Sequence, residues 1–97
     1  DEIVFLDITA DWCITCKFNK INVLNSEKIS DFFDSQKVTL IKADWTQPNK
    51  KINKFLKKYN KFGIPFNAFY SSKFPEGIVM NEILTEKQIF ETYNKAK

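Results

Sequence analysis

Residues Ile3 to Ile8 read Ile-Val-Phe-Leu-Asp-Ile, and Val38 to Ala43 read Val-Thr-Leu-Ile-Lys-Ala. Both are strand-length and largely apolar, with Asp7 the polar exception in the first. Such runs suit strands buried on both faces. A sheet covered on both faces needs helices on each side, which restricts the chain to a layered α/β arrangement. The other segments fit that frame. A helix is predicted from Cys13 or Ile14 toward Leu24. A second, capped by Asn25 or Ser26, carries Ile29, Phe32 and Phe33 at helical spacing. After a loop from Asp44 to Asn49, residues Ile52, Phe55, Leu56 and Tyr59 follow an amphipathic pattern. Lys50, Lys51, Lys54, Lys57, Lys58 and Lys61 fall on its other side. Gly63 suits the end of that helix.

Phe66 to Tyr70 predicts a third strand and Pro75 to Gly77 a turn. Ile78 to Ile83 predicts a fourth strand, paired with the third as an antiparallel hairpin. Thr85 and Gln88 have capping-box spacing and open a last helix with Ile89, Phe90 and Tyr93. The order β-α(α)-β-α-β-β-α implies parallel neighbours across the helical crossovers and an antiparallel edge. The expected fold is an α/β three-layer sandwich with a mixed four-stranded sheet.

At 97 residues the chain has the length of one domain. No apolar run approaches the roughly 18 residues of a membrane span. It opens on Asp1 with no basic-then-apolar leader, so a processed form, or a domain excised from a longer membrane-anchored protein, is expected. All fifteen basic residues are lysine, with no arginine and no histidine. Bidentate readout of phosphate or guanine favours arginine, which argues against nucleic acid. The missing histidine removes the commonest general base and metal ligand. The lysine-rich helix face reads as solvated, with electrostatic docking to an acidic partner or a membrane surface as the alternative.

The chemistry sits in Ala-Asp-Trp-Cys-Ile-Thr-Cys-Lys, residues 10–17, which holds the only two cysteines. A structural zinc site wants two further Cys or His ligands, which the chain lacks. A structural staple would close only a four-residue loop, worth about 2 kcal/mol in chain entropy. A redox pair fits position as well as spacing, because the pair follows a buried strand and opens a helix. The helix N-terminus stabilises a thiolate and lowers its pKa from about 8.5. Cys13, in the first turn, is expected to be the exposed nucleophile. Cys16, one turn further in, is expected to be more buried and to resolve the mixed disulfide.

Asp-Ile-Thr-Ala-Asp-Trp-Cys-Ile-Thr-Cys-Lys resembles the strand–Trp-Cys-x-x-Cys-Lys–helix segment of the thioredoxin superfamily. The chain is most similar to the C-terminal periplasmic (gamma) domain of DsbD-type thiol:disulfide interchange proteins and their copper-tolerance relatives. The shared features are Ala-Asp-Trp-Cys with Cys-Lys, Ala43 to Thr46, Gly63 to Pro65, and Glu82 to Thr85. The resemblance implies that the amino-terminal strand and helix of a full thioredoxin are absent or reduced. The resemblance implies a reductase that needs no cofactor beyond a redox-active Cys13–Cys16 disulfide. It implies electrons arriving from a transmembrane donor domain and leaving to periplasmic thiol/disulfide proteins. It also implies a monomeric periplasmic domain of an inner-membrane protein. Cys13 matches the attacking cysteine, Cys16 the resolving one and Trp12 the flanking tryptophan. Pro65 matches the cis-proline facing the disulfide, and Ile64 the residue whose backbone pairs with an incoming peptide. Asp7 matches a buried carboxylate beneath the disulfide, which could exchange a proton with Cys16. Lys42, on the neighbouring predicted strand, is its candidate cationic neighbour.

Three features depart from the family pattern. Ile14 and Thr15 stand between the cysteines where thioredoxin has Gly-Pro. The strand after Pro65 is more aromatic and polar than usual. Lys20 stands where many relatives carry Glu. Asp11, Lys17, Lys20 and Lys42 are the candidate pKa-tuning residues, with Lys20 lowering and Asp11 raising the Cys13 pKa. Two other readings compete: a thioredoxin-like module binding a partner or a metal such as copper(I) through the thiolates, with Met80 the only methionine, or a free-standing cytosolic thioredoxin. Lys20→Glu is expected to raise the Cys13 pKa, followed as thiolate ultraviolet absorbance against pH. An unchanged or lower value would remove Lys20 from the tuning set.

Overall fold

The computed structural model describes residues 2–97. In chain order the elements are β1 (Val4–Thr9), α1 (Ile14–Asn19), a π-helical turn (Lys20–Leu24), α2 (Glu27–Ser35), β2 (Thr39–Asp44), α3 (Lys50–Lys58), β3 (Phe66–Tyr70), β4 (Ile78–Val79) and α4 (Glu86–Ala96). The strands form one mixed sheet in the order β2-β1-β3-β4. β1 runs parallel to β2 and antiparallel to β3, and β3 is antiparallel to β4.

Strand alternation sends Phe5 and Phe69 to one face and Ile8, Phe66 and Ala68 to the other. On the first face Phe5 and Phe69 are fully buried with ring centroids 4.9 Å apart, and Val23, Ile29, Phe33, Leu84, Ile89 and Tyr93 close over them. On the second, Leu56 of α3 packs against Ile8, Phe66 and Ala68. Helices thus cover both faces, giving the three-layer sandwich. Only the crossover from β1 to β2 creates a parallel neighbour. The chain leaving α3 returns on the far side of β1 and in the opposite direction, so β3 is antiparallel.

Local signals explain most boundaries. Ser26 caps α2 by accepting from the Ile29 N–H (3.2 Å), and Asn49 caps α3 by accepting from Lys51 and Ile52. Thr85 accepts from the Gln88 N–H (3.1 Å), but the capping box is only half made. The Gln88 side-chain oxygen is buried without a partner among the described residues. Gly63 does not terminate α3. Asn60 takes the left-handed conformation (φ 59°), and the Lys61 N–H bonds back to the Leu56 carbonyl, closing the helix. The first helix continues to Leu24 by widening, with the Asn25 N–H reaching the Lys20 carbonyl (2.7 Å).

β4 is much shorter than the Ile78–Ile83 run that the sequence suggests. The cause is Asn19, a buried side chain of α1. Its amide donates to the Glu82 carbonyl (2.7 Å) and accepts from the Leu84 N–H (3.0 Å), pulling this segment off the sheet. Phe69→Ala removes a ring packed against Phe5, Phe33 and Tyr93. It should cost about 3–5 kcal/mol of stability. Urea denaturation measures this, and a loss below about 1 kcal/mol would show that the ring is not central to the core.

Candidate active site

β1 ends at Thr9 and the chain turns through Ala10–Trp12 before α1 begins at Ile14. Cys13 is the N-cap of α1, and its Sγ accepts from the Cys16 N–H at 3.1 Å. One helical turn brings the two cysteines within bonding reach, and they form a disulfide. Both cysteines are 5% exposed, so Cys13 is not the more open of the two in this oxidised form. The reason is packing, since Ala10 and Ile64 close against the pair. Ile64 comes from the loop before β3, and the Ile64–Pro65 peptide is cis.

The turn before Cys13 is held by a second loop. Ala10-Asp11-Trp12 follows β1, and Ala43-Asp44-Trp45 closes and follows β2. The parallel register pairs Ile8 with Ala43 and Thr9 with Asp44. The Trp45 N–H then donates to the Thr9 carbonyl (2.7 Å). Thr46 is the clasp. Its hydroxyl donates to Asp44 Oδ1 (2.5 Å) and accepts from the Asp11 N–H (2.9 Å). Its carbonyl accepts from Trp12 Nε1 (3.2 Å). The Thr46 hydroxyl and amide together hold the Asp44 carboxyl below its ordinary pKa. Trp12 stays 58% exposed, with its ring 6.3 Å from that of Trp45.

Asp7 is buried on the Phe5 face of β1, between Lys42 of β2 and Asn67 of β3 in the strand register. Burial raises its pKa above the ordinary aspartate value. The Asn67 amide, which donates to Asp7 Oδ1 at 2.8 Å, opposes that rise, as do the charges of Lys42 and Lys20. Asp7, Lys20, Lys42 and Leu24 line a small cavity of about 40 Å³, enough space to admit water. Next to it, Asp11, Lys17, Lys20, Lys42 and Asp44 line one wider groove. All four predicted tuning residues therefore meet, but neither cysteine lines the groove. The charge of Lys20 and Lys42 is felt by the carboxylates of Asp7 and Asp44. Met80 is buried in the Phe5 core.

A family model described as thioredoxin-like matches residues 2–72. The chain belongs to the thioredoxin-like family. The DsbD C-terminal domain of Neisseria meningitidis in its oxidised form superposes with a TM-score of 0.80 at 26% identity, covering 100% of this chain and 82% of that one. The reduced form gives 0.76 at 25% identity, covering 100% and 83%. The thiol:disulfide interchange protein DsbD of Yersinia pestis is 33% identical over 70 residues, which is 72% of this chain and 11% of the relative. The chain thus spans about a tenth of the length of the curated relatives it matches. A thioredoxin-like fold with a Cys13–Cys16 disulfide and DsbD relatives supports a thiol–disulfide oxidoreductase at this coarse level.

Within this thioredoxin-like domain, sequence reasoning does not find Asn67 or Thr46 as parts of the site. Asn67 is the one polar residue inside Phe-Asn-Ala-Phe-Tyr, but its partner follows only from the antiparallel register. For Thr46 the available signal is the repeated Ala-Asp-Trp tripeptide. Asp7→Asn keeps an acceptor for Asn67 and removes the charge. Because the folded-state pKa of Asp7 is raised, ionisation opposes folding. The variant should therefore be more stable than wild type at pH 7. The advantage should vanish as pH falls through the raised value toward the ordinary aspartate pKa. Urea midpoints of both proteins across that range measure it, and a variant less stable at pH 7 would contradict the burial cost.

Proposed function

We propose that this domain is a protein-disulfide reductase, carrying electrons as the Cys13/Cys16 dithiol. The observation that carries the reading is the placement of Cys13 at the head of α1, with its Sγ facing the Cys16 N–H. In the reduced domain the same donor favours the Cys13 thiolate. That thiolate attacks one sulfur of a partner disulfide. A Cys13–partner S–S bond forms, the partner bond breaks, and its electron pair leaves on the other partner sulfur, which takes up a proton. Cys16 then gives its proton to Asp7 and attacks Cys13 Sγ. The mixed bond breaks, the second partner sulfur departs as thiolate, and the Cys13–Cys16 disulfide forms. Two electrons have moved to the partner.

Asp7 suits the proton-accepting step because desolvation raises its affinity for a proton while Asn67 and Lys42 keep the anion attainable. The cavity rimmed by Lys20 and Lys42 gives that proton a way out. Trp12, Ile64 and Pro65 form the surface that receives the partner chain. Similarity to DsbD supports re-reduction by a transmembrane donor domain and delivery to periplasmic thiol/disulfide proteins, with this domain part of a longer inner-membrane protein. Among the described residues no helix is long and apolar enough to cross a membrane.

Cys16→Ser should accumulate mixed disulfides through Cys13 in a periplasmic extract, and identifying them names the partners. If nothing is trapped, and the wild-type pair stays oxidised in a strongly reducing thiol buffer, the bond is a structural staple.

A further inference from the structure

Charge is divided unevenly along this chain. Residues 45–75 contain seven lysines and no Asp or Glu, whereas the other eight lysines share the remaining sequence with all twelve acidic residues. Six of the seven, Lys50, Lys51, Lys54, Lys57, Lys58 and Lys61, lie on or just after α3 and are exposed. The sole salt bridge among the described residues, Lys28 to Glu86, lies elsewhere. α3 begins beside the redox site. Trp12, Trp45, Pro48, Asn49, Lys50 and Asn53 line a groove of about 320 Å³ that runs from the residue preceding Cys13 to the first turn of α3.

We infer that this groove and the lysine ridge behind it are a docking track for an acidic, extended segment of the protein partner, with an apolar side chain beside its reactive cysteine lying against Trp12 and Trp45. The inference rests on disulfide exchange at Cys13. Three observations select this occupant. First, a small anion at the head of α3 has little to bind. Asn49 already accepts from the Lys51 and Ile52 N–H groups, so the attraction comes from side chains spread along the helix. A row of separated ammonium groups suits a polyanionic chain. Second, a helix lying on a membrane turns its apolar residues to the bilayer. α3 turns Ile52, Phe55 and Leu56 into the domain core. Third, the groove is walled by indoles at the end nearest Cys13 and by Lys50 at the other. A segment entering from the disulfide therefore meets apolar surface before it meets charge.

The test uses single-turnover reduction by the fully reduced domain of two synthetic peptide disulfides. Each has phenylalanine next to its cysteine, one followed by glutamates and the other by lysines. Bis(2-hydroxyethyl) disulfide serves as a neutral reference. The acidic peptide should react roughly tenfold faster than the basic one at low ionic strength, and the difference should collapse near 0.5 M salt. The double variant Lys50→Glu, Lys54→Glu should reverse the preference, read as each peptide's rate divided by that of the neutral disulfide. Equal rates for the two peptides at low salt would overturn the inference. So would a preference that the double variant leaves unchanged. Lysine-dependent sedimentation with phosphatidylglycerol vesicles, without charge discrimination between peptides, would reassign the ridge to a membrane. Failure to reduce even the neutral disulfide would instead sink the exchange chemistry, and the docking track with it.

Discussion

The redox end of the molecule depends on the parallel pairing of β1 with β2. This pairing ends both strands at the same level, so the loops opening on Ala10 and on Trp45 leave side by side. Neither loop is held by secondary structure of its own. Thr46 joins them through one hydroxyl and one carbonyl, and each bond ends on the turn that delivers Cys13. The position of Cys13 is thus set by backbone and side-chain hydrogen bonds to the loop that follows the neighbouring strand. That arrangement leaves the helix head free to serve the sulfur.

The same pairing creates the electrostatics beneath the helix. Register sets Lys42 on one side of Asp7, while the antiparallel partner sets Asn67 on the other. Desolvation and hydrogen bonding then pull the Asp7 carboxyl in opposite directions, and desolvation is the larger. An aspartate surrounded only by apolar side chains would be protonated and inert over a wide pH range. One with full hydrogen bonding would be a permanent anion. Asp7 has a single buried donor and two lysines at a cavity rim, so it sits between these two extremes.

The layered fold is legible in the chain because it rests on local patterns. The apolar run of β1, the amphipathic spacing around Leu56 and the caps Ser26 and Thr85 each act within a few residues. The cysteine pair is legible for the same reason. The run of β2 forms a strand as expected but not one buried on both faces, because β2 lies at the sheet edge with Leu40 54% and Ile41 48% exposed. What escapes the sequence depends on contacts between distant segments. The direction of β3 follows from where the chain returns after α3, which no local signal states. The end of β4 follows from Asn19, more than sixty residues upstream by sequence separation. The left-handed turn after α3 falls on Asn60 instead of Gly63, because the hydrogen bonding of the last turn chooses the residue. The equal burial of the two cysteines reflects Ile64, which only the folded chain brings to them.

Asn19 also bears on how small a working unit can be. The family model ends at residue 72, yet the Asn19 side chain has both of its partners at residues 82 and 84. A fragment cut at that border would leave an amide stranded in the helix that carries Cys16. It would also uncover the Phe5 core where Leu84, Ile89 and Tyr93 now lie. The indivisible unit is therefore larger than the stretch most shared with relatives. The last quarter of the chain acts as the lid of a box whose two cysteines lie in the first.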